Sequence, residues 1–205
     1  MTVMTRRLLA TFLVASLGFT SSASWASGSD YYYKRPTILD TLQDTDGAQA
    51  LVAAVLVVDE ADTSLDFKIA DLLDNKRAEI ILFAPGNAAF ENLLGLDEGS
   101  LNGLTIQETV DALPGLLPDG VGAKEVAAIL LKHVALPNRA NRYTASEDKL
   151  LAKGEIKVAD GSKFPVGIGG KGVQVNYETT IIKADNFDRN GVIHYIDTVI
   201  VDDLL

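Results

Sequence analysis

Asn190-Gly191-Val192-Ile193-His194-Tyr195-Ile196-Asp197-Thr198-Val199-Ile200 is the stretch whose reading decides the fold. An Asn-Gly pair accepts positive φ at both positions and so launches tight hairpins. The residues that follow alternate in direction, yet both sets are apolar. Val192, Ile196 and Ile200 share one face, and Ile193, Tyr195 and Val199 share the other. A strand that is apolar on both faces is one that is covered on both faces. The pattern predicts a central, buried strand over 192–201.

Working back from that strand, a period of two holds from Leu150 onward, with further strands expected at 155–158, 173–175 and 180–183. Asp160-Gly161 and Gly169-Gly170 supply the turns between them. The Gly-rich run 167–172 reads as a flexible hairpin. Lys171 is not followed by Ser or Thr, so it does not match a phosphate-binding loop. Before Leu150 the period is helical. In 123–134, Val126, Ile129, Leu130 and Val134 form a stripe at i, i+3, i+4 and i+8. The stretch 95–122 is rich in Gly and Pro around a short helix, 106–113, with Thr105 as its N-cap.

Further upstream, 80–83 is a short apolar strand stopped by Pro85, and Asn87 is placed to cap a helix over 88–94. A helix over 66–73 carries Phe67, Ile69, Ala70, Leu72 and Leu73 as its apolar set. The run 48–58 is apolar almost all round and predicts a helix buried on most faces. Thr37 caps a first helix over 38–43, which Asp44-Thr45-Asp46-Gly47 breaks. That run lacks the later Glu of a calcium loop and reads as a turn. Helices come first and strands last, which is an α+β order. No internal repeat is present, so one unit is expected over 37–205.

The N-terminus reads as an export signal over 1–26. Arg6-Arg7 precedes the apolar run 8–19, and Ser24-Trp25-Ala26 is a small-x-small cleavage site. The arginine pair suits ordinary secretion or twin-arginine export. The run is shorter than the roughly 20 residues that span a bilayer. Residues 27–36, with Tyr31, Tyr32 and Tyr33, read as a linker. The expected location is secreted or periplasmic, with no membrane span after cleavage. Taking Arg6 and Arg7 from 18 basic residues leaves 16 against 28 acidic, a net charge of −12. Such a surface repels nucleic acid, whose binding needs clustered Lys and Arg. The chain has no cysteine, which excludes disulfides, thiol catalysis and cysteine–zinc sites.

Catalytic chemistry finds little support. The two histidines, His133 and His194, both lie in apolar runs. Asp185 or Asp197 would complete a triad at His194, but there is no G-x-S-x-G elbow. Zinc needs three or four ligands, and the chain has no H-E-x-x-H. No catalytic residue, metal site or cofactor is expected.

Three segments resemble the signature boxes of the fasciclin (FAS1) family. Ile81-Leu82-Phe83-Ala84-Pro85-Gly86-Asn87-Ala88-Ala89-Phe90 resembles the first. Asn190 to Ile200 resembles the second almost residue for residue, and Ile129-Leu130-Leu131-Lys132-His133-Val134 lies between them in the right order. The resemblance covers 37–203 and implies a secreted, bacterial-type, single-domain member. The implied fold is a β-sheet wedge with helices packed along one side. The implied function is an adhesion or interaction module, not an enzyme, that binds a protein or glycan at the cell surface as a monomer. Lys132 and His133 occupy the positions of the family's Tyr-His pair. Because Lys132 replaces the Tyr, integrin-type recognition is not implied.

The stretch 105–122 is longer than a minimal domain needs, and Thr105, Leu113, Leu116 and Leu117 within it are the other candidate binding residues. Two alternatives stand beside adhesion. One is carriage of a small apolar ligand, a carotenoid or lipid, with 105–122 covering a groove. The other is a subunit role in a larger exported assembly.

Overall fold

The computed structural model describes residues 35–61, 65–137 and 146–201. The export signal expected over 1–26, most of the linker expected over 27–36, and its three tyrosines lie outside the described residues. Seven strands form one sheet: β1 (Ile80–Pro85), β2 (Val134–Ala135), β3 (Glu155–Lys157), β4 (Lys163–Gly169), β5 (Gly172–Val175), β6 (Thr179–Asp188) and β7 (Gly191–Ile196). Their spatial order is β2-β1-β7-β6-β5-β4-β3. β7 runs parallel to β1 and antiparallel to β6. The central position expected from its two apolar faces is the one it holds. The Ala159 N–H donates to the Val134 carbonyl at 2.7 Å, which draws the two edges of the sheet together into a nearly closed barrel.

The two faces of the β1–β7 seam serve two cores. Ile80, Leu82, Ala84 and Ile193 face a helical layer, while Ile81, Phe83, Val192 and Ile196 face the inside of the curled sheet. The helical layer comprises α1 (Ile38–Gln43), α2 (Gln49–Ala61), α3 (Ile69–Asp74), α4 (Asn87–Leu94), α5 (Ile106–Leu116) and α6 (Ala123–Lys132). Seven residues of α2 are buried, as its all-round apolar pattern requires. The last helix, α7 (Glu147–Lys153), sends Leu150 into the second core, inside the sheet. The helices are therefore not all on one side.

Polar side chains of the two signature segments tie the N-terminal helices to the sheet. Asn190 accepts the Ile38 N–H at 2.9 Å and donates to the carbonyls of Leu73 and Asn75 at 2.8 and 3.2 Å. It thereby fastens the start of α1 and the end of α3 to the strand. A Cβ at Gly191 would overlap the Ile80 carbonyl, so close approach of β7 to β1 requires glycine there. This corrects the reading of Asn190-Gly191 as a turn with two positive φ values. Asp188 pairs with Gly191 across the hairpin, and neither Asn190 nor Gly191 has positive φ.

Other boundaries also move. Asn87 does not cap its own helix, which starts at that residue with Gly86 before it. Its Oδ1 instead accepts the Ala50 N–H at the start of α2, at 3.0 Å, and its Nδ2 donates to Gln49 Oε1 and to the Leu101 carbonyl. It is the cap of a neighbouring helix. β1 includes Pro85, which needs no N–H at a strand end. α3 begins only at Ile69, whose N–H is held by Asp59, and Phe67 is half exposed instead of packed. α5 runs through Pro114 to Leu116, past the expected end at Leu113, with Pro114 unable to donate to the Val110 carbonyl.

α6 ends at Lys132, and Val134 is strand. Residues 150–153 are helix where a period of two was expected. The hairpin expected over 167–172 is the β4–β5 turn, but its first arm extends back to Lys163, which Pro165, Gly167 and Gly169 hid because they are poor strand formers. β6 runs on to Asp188 past two bulges, which reset the alternation near Lys183 and Asp185. β7 ends at Ile196, five residues before the expected end.

Candidate functional site

Lys132 and His133 sit at the C-terminal end of α6, and both are buried. Lys132 Nζ pairs with Asp160 Oδ2 at 2.8 Å. His133 Nδ1 lies 2.8 Å from the Ile129 carbonyl, and its Nε2 accepts the Ile200 N–H at 2.9 Å. That pair of bonds fixes a neutral imidazole with the proton on Nδ1. Burial pushes its pKa down to about 4, against the opposing hydrogen bond to Ile129. The histidine joins α6 to the chain after β7, and both side chains are committed to internal partners.

His194 is fully buried in β7 and stacks on Phe83 with ring centroids 5.8 Å apart. Its Nδ1 faces Asp185, whose backbone N–H lies 3.3 Å away and whose carboxylate lies 3.9 Å away. Asp197 turns elsewhere and accepts the Thr180 N–H at 2.7 Å. His194 thus joins the central strand to the irregular part of β6 through Asp185. Among the described residues, no group of three or more His, Asp or Glu is placed to hold a metal ion.

One buried carboxylate stands out for different reasons. Asp188 ends β6, 5 % exposed; its Oδ1 accepts the Thr41 hydroxyl at 2.9 Å, while Oδ2 finds no donor among the described residues. Burial pushes its pKa up to about 6, against the pull of the Thr41 hydrogen bond and the Arg35 charge.

The 105–122 segment is built as a helix and a return loop. Thr105 opens α5 with a reciprocal capping box: its hydroxyl oxygen accepts the Glu108 N–H, and Glu108 accepts the Thr105 N–H at 2.8 Å. Thr105 therefore has a capping role. Leu113 is buried, and Leu116 and Leu117 pack against the same core. Leu113 and Leu117 also line a cavity of about 220 Å³. α2 contributes Ala54 to it, α4 contributes Phe90 and Leu94, and α6 contributes Ile129 and Leu130. Lys132, His133, Thr105 and Leu116 are not part of its lining. The sequence-derived candidates therefore do not converge on one site.

A second cleft, of about 280 Å³, adjoins this cavity and shares Leu93, Val199 and Val201 with it. Its remaining walls are mostly polar: Asn92, Asn176, Glu178, Thr179 and Thr198. Asn176 and Glu178 belong to the connection between β5 and β6, and between them stands Tyr177, 77 % exposed. The Glu178 N–H donates to the Asn176 carbonyl at 2.8 Å, closing a three-residue turn. Asn176 and Tyr177 both have positive φ, 55° and 64°. Asn tolerates that region, but for a bulky residue such as Tyr it is an outlier. Strained backbone of this kind concentrates at functional sites. A signal for it was present: a polar turn with one aromatic, Asn176-Tyr177-Glu178, between two strand-period runs.

The family model for the Fasciclin domain matches residues 61–202. The chain belongs to the fasciclin domain family. That family consists of cell-adhesion modules, generally extracellular or secreted. The fold is similar to that of a FAS1 domain pair from the insect cell adhesion molecule Fasciclin I. The TM-score is 0.56 at 16 % identity, over 82 % of this chain and 51 % of that one. This fasciclin chain thus spans about half the length of that structure. No curated protein matches the sequence. Among the described residues, no helix is long and apolar enough to cross a membrane.

Proposed function

We propose that this fasciclin domain is an exported, monomeric adhesion module that binds a protein or glycan at the cell surface and catalyses nothing. In this reading the module occupies 37–205 after a cleaved signal over 1–26 and a linker over 27–36, and acts in a secreted or periplasmic location. The observation that carries it is Tyr177, a large aromatic held out in solvent on a strained turn beside a cleft of amide, carboxylate and hydroxyl groups. An aromatic face with a polar tip suits recognition of either partner class, because it offers a rigid apolar surface at low entropic cost. Lys132 and His133 are occupied inside the fold, so recognition is assigned to the β5–β6 turn and the neighbouring 105–122 segment.

Purified protein coated on a surface tests this reading through the number of cells retained after washing. Attachment well above an inert-protein coat, and a severalfold drop with Tyr177→Ser, are the expected results. Attachment equal to the inert coat would overturn the reading.

A further inference from the structure

The cavity and the cleft beside it differ in chemistry: the first is apolar throughout, and the second adds polar groups to an apolar side. The cavity lies among α2, α4, α5 and α6 and opens partly to solvent beside Pro118; its lining among the described residues is aliphatic and aromatic. An apolar cavity of this kind accepts apolar guests, since water in it finds few polar partners. At about 30 Å³ per methylene-sized group, 220 Å³ takes about seven such groups. A carotenoid is far too large for it.

The adjoining cleft is mixed, with Ala89, Leu93, Val199, Ile200 and Val201 on its apolar side and polar groups facing them. Asn92 and Asn176 supply both donors and acceptors, Thr179 and Thr198 supply hydroxyls, and Glu178 supplies an acceptor carboxylate. Hydroxyl groups on a ligand pair with every member of that set. An anionic head would meet the Glu178 charge, and among the described residues no lysine or arginine lines the cleft to offset it. We propose that the cavity and cleft together bind a single-chain amphiphile, with about seven alkyl carbons of its tail in the cavity and an uncharged, hydroxyl-bearing head in the cleft. Leu93, Val199 and Val201, which line both spaces, form the passage where the tail meets the head. This activity goes beyond attachment to cells and is independent of Tyr177, which lines neither space.

Calorimetric titration of the full chain with 1-octanoylglycerol, kept below its micellar concentration, tests the proposal. Saturable one-to-one binding is expected. Octanoate, with the same tail and an anionic head, should bind at least about tenfold more weakly. 1-Hexanoylglycerol should also lose about tenfold, at about three- to fourfold per methylene removed. Ala54→Phe fills the cavity from α2 and should abolish binding. If that variant does not fold, Leu117→Trp at the half-buried rim should block the same space. Glu178→Lys should narrow or reverse the preference against octanoate. Absence of saturable binding would overturn the proposal. So would equal affinity for octanoate and 1-octanoylglycerol, or binding undiminished in a folded cavity-blocking variant. Ala54→Phe should leave cell attachment unchanged while abolishing this titration, so the two readings fail separately.

Discussion

Four short connections join neighbouring antiparallel strands among the described residues, and the two that flank β6 each carry an asparagine. In the turn between β6 and β7, Asn190 is buried, has negative φ, and makes three side-chain hydrogen bonds to the start of α1 and the end of α3. In the turn between β5 and β6, Asn176 and Tyr177 both take positive φ, and Tyr177 projects into solvent. The first turn returns its ordering cost as fold stability. The second holds a strained tyrosine without burying it, which costs about 1–2 kcal/mol for an L-residue in the left-handed region. Stability and recognition are thus divided between two turns of the same sheet.

The largest contrast lies in the strand that the first turn launches. Ile196 is 1 % exposed on the central strand. Ile196→Ala should cost roughly 2–5 kcal/mol in denaturant unfolding, and a loss below about 1 kcal/mol would place it outside a packed core. Asn190→Ala comes next. It leaves the Ile38 N–H and the Leu73 carbonyl unpaired in the interior, with an expected loss of about 1–3 kcal/mol. Wild-type stability in this variant would mean that the side chain is not what ties α1 to the sheet.

Acid sharpens the comparison through two buried groups of opposite sign. His133 has a folded pKa of about 4 against an ordinary value of 6.5, so its stabilising effect is full above about 6.5 and is lost as pH falls toward 4. Asp188, raised from 3.8 to about 6, works the other way. Its penalty is present above about 6 and is relieved as pH falls toward 3.8. The two partly cancel in the wild type. Asp188→Asn should therefore lose more stability than wild type between pH 7 and pH 4.5, and His133→Gln should lose less. Parallel slopes in all three proteins, from unfolding curves across that range, would contradict the assignment.

Much of the fold was legible because its decisive elements announce themselves locally. β7 is apolar on both faces, α2 is apolar all round, and Thr37 and Thr105 stand where caps are needed. What was not legible depends on contacts distant in sequence. Asn87 looks like a cap for the helix it begins, and only the approach of α2 gives it a different amide to hold. Gly191 reads as a turn residue, but its role is set by the Ile80 carbonyl 111 residues earlier. The β6 bulges shift the alternation that a reading by period relies on.

The candidate site was less legible than the fold. Leu113 and Leu117 were singled out and line the cavity, but so do residues from three other helices. Lys132 and His133 were singled out by their place in a signature segment, and hydrogen bonding has drawn both inward. Tyr177 was passed over: the polar turn with one aromatic marks the place, but the positive φ that sets the residue apart is visible only in the backbone.

Tyr177→Gly is the measurement that bears most directly on this division. Glycine adopts positive φ without strain, so unfolding of the variant should require about 1 kcal/mol more than wild type, while cell attachment falls severalfold. A variant that is more stable and attaches as well as wild type would show that the strained tyrosine is not the contact, and the account would fail at its centre.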